Sequence, residues 1–152
     1  MYELTIGDAG RHGFVLDVGN LDELHVLRFR AREMTEGRTI RWTGPQSFIA
    51  VTGLTGNEHD LTMVMHDGGR PAKAPAAAVE VFFNDISLGT IQVGSGFKEY
   101  RLTVPAEAVR AASQSDDPAI LRLISTTWTP KEFLGGTDDR GLGVMIDRVE
   151  IH

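Results

Sequence analysis

The run Val79-Glu80-Val81-Phe82-Phe83-Asn84-Asp85-Ile86-Ser87-Leu88-Gly89-Thr90-Ile91 commits this part of the chain to an antiparallel β architecture. Two stretches rich in β-branched and aromatic residues flank Asn84-Asp85, and Asn and Asp tolerate the positive φ that a two-residue reversal needs. The spacing predicts a hairpin. Side chains alternate along a strand, so Val79, Val81 and Phe83 share one face.

The same period-two pattern recurs on both sides of the hairpin. It predicts strands over residues 2–6, 14–18, 26–30, 39–43, 47–52 and 61–65 before it, and over 97–104, 120–125 and 143–151 after it. Gly, Pro, Asn or Asp bounds each of these runs, as expected for many short strands. Between two of them, Gly53-Leu54-Thr55-Gly56-Asn57 carries two glycines that permit a tight reversal. Helical character is confined to Pro105-Ala106-Glu107-Ala108-Val109-Arg110-Ala111-Ala112, with Pro in the first turn and good helix formers behind it. The expected fold is all-β: an antiparallel β-sandwich with one short helix.

At 152 residues the chain is long enough for one domain with a continuous core and too short for two of ordinary size. The Pro- and Ala-rich residues 71–78 therefore read as a loop crossing between sheets, because neither flank alone holds enough strands to close a sandwich. Lys and Arg number 15 against 21 Asp and Glu, for a net charge of -6. That balance opposes nucleic-acid binding, which needs a basic footprint, and disfavours anionic membrane surfaces. Cysteine is absent, which removes disulfides, thiolate zinc sites and a Cys nucleophile while leaving the compartment open. No apolar run approaches the roughly 20 residues that cross a bilayer. Met1-Tyr2-Glu3 has neither a basic start nor a following apolar stretch, so no targeting segment is expected within the chain.

Catalytic signatures are missing. No G-x-S-x-G elbow, G-x-x-x-x-G-K loop or G-x-G-x-x-G fingerprint occurs, and Gly94-Ser95-Gly96 reads as a turn between strands. No cofactor and no catalytic residue is expected. His59-Asp60 and His66-Asp67 form a repeated pair, but seven extended residues at about 3.3 Å each would set the histidines about 20 Å apart. His12, His25 and His152 are scattered, and no metal site is expected. A saccharide-active hydrolase would need two carboxylates in a cleft larger than a chain of this size builds.

Recognition residues are easier to nominate. The apolar face of a pyranose packs on an aromatic plane while its hydroxyls take polar partners, which singles out Trp42 and Trp128. Trp42 sits mid-strand between Arg41 and Thr43, where core packing is the commoner fate. Trp128 sits in the loop signal Thr127-Trp128-Thr129-Pro130 and is expected to be exposed, with Phe133 as a companion platform or as a plug. Arg140, with Asp138 and Asp139, offers donors and acceptors to sugar hydroxyls, or else an internal ion pair holding the loop. Asp147 shares strand phase with Met145, Val149 and Ile151, so its carboxylate points the way apolar side chains point. Burying it unpaired is costly, and an Arg partner, a backbone nest, a calcium ion or a bulge would resolve it.

Several short motifs recur in order in one known domain type. They are Asp17-Val18-Gly19, Arg41-Trp42-Thr43-Gly44, the hairpin end Leu88-Gly89-Thr90, Gly96-Phe97 with Tyr100, Trp128-x-Pro130, and Asp139-Arg140-x-Leu142-Gly143-Val144. Over roughly residues 15–152 the chain resembles the jelly-roll, carbohydrate-binding-module-like domain that accompanies bacterial membrane glycosyltransferases and envelope proteins. The resemblance implies a galactose-binding-like sandwich without catalytic residues, located on the non-cytoplasmic side. The chain departs from the pattern in having Asn-Asp where Asn-Gly is usual in the hairpin. It also carries extra residues, Met1 to Phe14, which would supply an added edge strand or a subunit contact. The expected role is non-catalytic glycan recognition at a loop edge by Trp128, Arg140 and Asp139, with Trp42 as a further contact. The competing expectation is an assembly module that docks a protein partner or a second copy of itself.

Overall fold

In the computed structural model, residues 13–152 are described, and twelve elements follow one another along the chain. They are β1 (Phe14–Asp17), β2 (Val26–Phe29), β3 (Glu33–Thr35), β4 (Arg38–Val51), β5 (Asp60–His66), β6 (Ala78–Phe83) and β7 (Ile86–Gln92). Then come β8 (Lys98–Thr103), α1 (Ala106–Ser113), β9 (Ala119–Ser125), α2 (Pro130–Leu134) and β10 (Met145–Ile151). The strand expected over residues 2–6, and with it most of the N-terminal extension and His12, lies outside the described residues.

Among the described residues every strand pairing is antiparallel, and the hydrogen-bonded path runs β7-β6-β9-β4-β10-β5-β8, with β1 on β10 and β2 and β3 on β4. This is the expected all-β, jelly-roll type of sandwich. Its seam is β4. Gln46 to Val51 pair with β9 on one side, while Trp42 and Arg41 pair with Met145 and Ile146 of β10. One 14-residue strand thus belongs to both layers. The expectation of two separate strands, over 39–43 and 47–52, is corrected: the strand runs on through Gly44-Pro45. In the fold Pro45 sits where the ladder changes partners, so its missing N–H costs no ladder bond.

Between the layers, Ile49, Leu121, Leu123, Val79, Val81 and Phe83 from one side meet Leu61, Met63, Val149 and Ile151 from the other, all fully buried. Each such side chain contributes about 1.5–3 kcal/mol by leaving water. Helix α1 buries Ala108 and Val109 into the same core. Glu107 in its first turn and Arg110 in its last complement the helix dipole. None of the helices among the described residues is long and apolar enough to cross a membrane.

The hairpin forms as its residues dictate. Asn84 takes φ 52, and its Oδ1 accepts a 2.9 Å hydrogen bond from the Ile120 N–H, so turn chemistry also ties β6 to β9. Asp17-Val18-Gly19 and Arg41 are structural too. Asp22 is fully buried, accepts the Gly19 N–H at 2.8 Å, and takes Arg41 Nε and Nη2 in a bidentate pair at 2.8 Å each. Burial works to raise the Asp22 pKa, and the hydrogen bonds from Arg41 and Gly19 outweigh it, leaving the carboxyl below its ordinary value.

Two elements were not expected. β3 closes a hairpin onto β4 through Glu36-Gly37, both at positive φ, 52 and 76. α2 folds the loop after Trp128 into a short helical turn.

Candidate functional site

The loop edge that the sequence nominates is a second, small core. Trp128 is 5% exposed and Trp42 7%, packed with Ile40, Ala74, Leu142 and Met145 and flanked by Phe97 and Phe133. The expected exposure of Trp128 is corrected, and the cause is local. Trp128 N donates to Leu142 O at 2.9 Å and Leu142 N returns the bond at 2.8 Å, folding the loop onto itself over the indole. Phe133 of α2 serves as the plug rather than as a platform. Gly68 lies flat on the Trp42 ring, where any Cβ would overlap the indole carbons. Trp42 accordingly follows the core alternative, and neither indole offers a face for a sugar to stack on.

Arg140 is similarly committed. Its Nε and Nη2 donate to Asp138 Oδ1 and Oδ2 at 2.9 and 2.8 Å, and its Nη1 donates to Glu33 Oε2 at 2.9 Å. The hydrogen bonds from Arg140 hold the Asp138 carboxyl down to about 2. This clasp pins the loop to β3. Asp139 stays exposed and makes no side-chain hydrogen bond among the described residues. Two further arginines hold the neighbouring backbone, Arg30 Nη2 donating to Gly141 O at 2.7 Å and Arg70 Nη2 to Gly143 O at 2.6 Å.

The Asp147 puzzle resolves in the same region. A register shift between Ile146 and Arg148 makes Asp147 the extra residue of a bulge, and its Oδ2 accepts from Arg38 Nη1 at 2.6 Å. The bulge swaps strand phase, so Ile146 before it and Val149 after it both reach the main core.

The open surface lies elsewhere, on the outer face of the layer β2-β4-β9-β6-β7. Strand register aligns Leu27, Phe48, Arg122, Phe82 and Ser87 in one row across these strands. Phe48, Arg122 and Phe82 are half-buried, while their strand neighbours Ile49, Leu121, Leu123, Val81 and Phe83 are sealed inside. The Arg122 guanidinium sits 4.1 Å from the Phe82 ring centroid, and that of Arg28 lies 5.8 Å from the Phe48 centroid. Such cation–π stacking joins ring and guanidinium into flat slabs. Gln46, Ile124 and Glu80 form the adjacent row, with Gln46 Oε1 3.4 Å from Arg122 Nη1 and Glu80 Oε2 accepting from Ser87 Oγ at 3.0 Å. Arg28, Phe29, Arg30, Gly44, Pro45 and Gln46 line a depression of ≈ 320 Å³ at one end of the row.

Phe48, Arg122 and Phe82 escaped the sequence reading, although the signal was present. If Val79, Val81 and Phe83 face inward, Glu80 and Phe82 must face out.

Fold and face together define an antiparallel, all-β sandwich of jelly-roll type with one broad, partly aromatic sheet face open to solvent. No protein-family model matches the sequence, and no curated protein sequence matches it. Among solved structures it is similar to the CBM36-1 domain of a multidomain xylanase from the hindgut metagenome of Trinervitermes trinervoides. That likeness has 11% identity and a TM-score of 0.44, and covers 81% of this chain and 86% of that one. It is also similar to BiXyn10A CBM1 in its apo form, at 13% identity and a TM-score of 0.46, covering 92% of this chain and 96% of that one.

Proposed function

We propose that this protein is a non-catalytic, glycan-binding accessory domain whose ligand lies across the outer face of the β2-β4-β9-β6-β7 layer. The observation that carries the reading is the row Phe48-Arg122-Phe82, two aromatic rings and a stacked guanidinium held in register on an open face. Sugar rings present apolar faces to such slabs, and the hydroxyls around them meet Gln46, Glu80 and Ser87. Glycoside hydrolysis needs two carboxylates about 5–10 Å apart, whereas the outward side chains of β4, β9 and β6 include one, Glu80. The binding surface thereby moves from the loop edge to the sheet. Trp42, Trp128 and Arg140 make the edge rigid, and Asp139 stays available as a rim contact. Attachment to an envelope glycosyltransferase on the non-cytoplasmic side, which the resemblance implies, is the setting proposed for such a domain.

Calorimetric titration with a panel of neutral and acidic oligosaccharides tests the reading. Phe48→Ala with Phe82→Ala is expected to weaken binding at least about tenfold, while tryptophan emission stays unchanged on binding because both indoles are sealed. Unaltered affinity in the double variant would remove the face from consideration.

A second reading, self-association or docking of a protein partner, is supported by Leu21 and Leu24 before β2 and Leu27 within it, exposed at 87%, 94% and 61%. Among the described residues β2 is bonded to β4 alone, which leaves an edge for strand addition. Leu24→Asp is expected to dissolve any concentration-dependent species seen in light scattering. A monodisperse monomer at every concentration would remove self-association.

A further inference from the structure

Apart from Arg28 and Arg122, most of the arginines among the described residues are tied to a backbone carbonyl or a carboxylate, Arg30, Arg32 and Arg70 donating to carbonyls. Arg38, Arg41, Arg101, Arg140 and Arg148 each lie within 4.0 Å of a carboxylate. Arg28 and Arg122 have no carboxylate partner among the described residues and instead lie over the Phe48 and Phe82 rings. In a chain of net charge -6, leaving these two guanidiniums without acidic partners on one aromatic face creates a local cationic strip. Glu80 is the acidic member of the face, and it is occupied by Ser87 Oγ.

Arg28 adds a second, independent observation. It takes φ 63 at the point where the β2–β4 register shifts. A left-handed backbone at a non-glycine residue is strained, and such strain concentrates at ligand clamps. The bulge aims Arg28 across Phe48 at the rim of the ≈ 320 Å³ depression. In the same depression the Nε of Arg30 is buried without a hydrogen-bond partner among the described residues. Arg28 and Arg122 stand on strands separated by β4, so their backbones are about 10 Å apart. A saccharide of two or more units spans that distance.

We propose that the ligand of this face is a uronate-bearing polysaccharide, its carboxylates taken by Arg122 and Arg28 while its sugar rings pack on Phe82 and Phe48. The proposal rests on the glycan-binding reading above. A planar carboxylate matches the guanidinium fork in bidentate geometry. A densely sulfated chain would carry more charge than Glu80 and the acidic remainder of the surface favour.

The test is titration of the full chain with polygalacturonate, alginate, fully methyl-esterified polygalacturonan, dextran and dextran sulfate. Polygalacturonate or alginate is expected to bind at least about tenfold more tightly than the uncharged ester, and the advantage is expected to shrink as salt screens the exposed charges. Arg122→Gln and Arg28→Gln are each expected to cost at least about tenfold more on the acidic chains than on the ester, where only the stacking of the guanidinium is lost. Arg122→Lys retains charge without the fork and should fall between Arg122→Gln and the unmodified protein. If Arg122→Gln fails to fold, Arg28→Gln and Arg122→Lys carry the comparison. Equal affinity for acid and ester overturns the uronate assignment and leaves glycan binding standing. Binding of dextran sulfate without either uronan overturns it in favour of sulfate. Failure of both uronans to bind also overturns it, and if a broad neutral panel fails as well, the glycan reading falls with it.

Discussion

Trp42 and Trp128 at the loop edge, and Phe48 and Phe82 on the sheet, are two pairs of large aromatic side chains with opposite fates. Trp128 stands in a loop, a setting from which exposure is usually inferred, and Trp42 mid-strand in β4, yet both are sealed, at 5% and 7% exposure. The phenylalanines stand mid-strand among apolar residues and lie half-buried on the outer face. What separates the pairs is which groups close over the ring. The edge has a backbone bridge, a helical turn, an Arg140 clasp and Gly68 lying on Trp42. The outer face has only guanidiniums stacked from within its own surface.

The sharpest break of this contrast is Trp128→Ala. Emptying the small core is expected to cost about 3–5 kcal/mol, read as a lowered urea midpoint. A loss below about 1 kcal/mol would mean that the indole is solvated after all. Gly68→Ala comes next, at about 2–4 kcal/mol, because the new methyl meets the Trp42 ring and the residue sits at φ 79. Phe82→Ala should cost the fold less, about 1–2 kcal/mol, since the ring lies on the outer face and is only partly buried. A stability loss equal to that of Trp128→Ala would erase the distinction between the two regions.

The smallest expected effect is a pH dependence at the clasp. Asp138 titrates at about 2 in the folded chain, below its ordinary 3.8. A depressed carboxyl pKa contributes stability that is present above the unfolded value and lost as pH falls through the folded one. The Arg140 contribution should therefore fade between about pH 4 and pH 2. Urea midpoints of the unmodified chain and Arg140→Met are expected to converge over that interval, and a constant difference down to pH 2 would assign the clasp to packing rather than charge.

Strand alternation made most of the layers legible from sequence. Val79 to Phe83, Ala119 to Ser125 and Leu61 to Met65 announce their inward faces without help. β3 was not legible, because Glu33-Met34-Thr35 has no apolar rhythm and exists through a turn at Glu36-Gly37 and pairing with β4. α2 is five residues long and too short for a helical period to register. The continuity of β4 through Gly44-Pro45 was not legible either, because the change of ladder partner that accommodates Pro45 is tertiary. The same division holds for the site. The outward phase of Phe82 could be read from the inward phase of Phe83, whereas the closure over Trp128 depends on Leu142, fourteen positions away, and on Glu33 of an unexpected strand. The bulge at Asp147 likewise decides a phase that no count of alternating residues reveals.

Because β4 is shared by both layers, neither half can lose its edge without the other losing a member. The molecule should therefore melt in a single step, with hydrogen-exchange protection highest and most uniform along residues 40–51. Any glycan held on Phe48 would then be reporting, through that one strand, on the integrity of the whole protein.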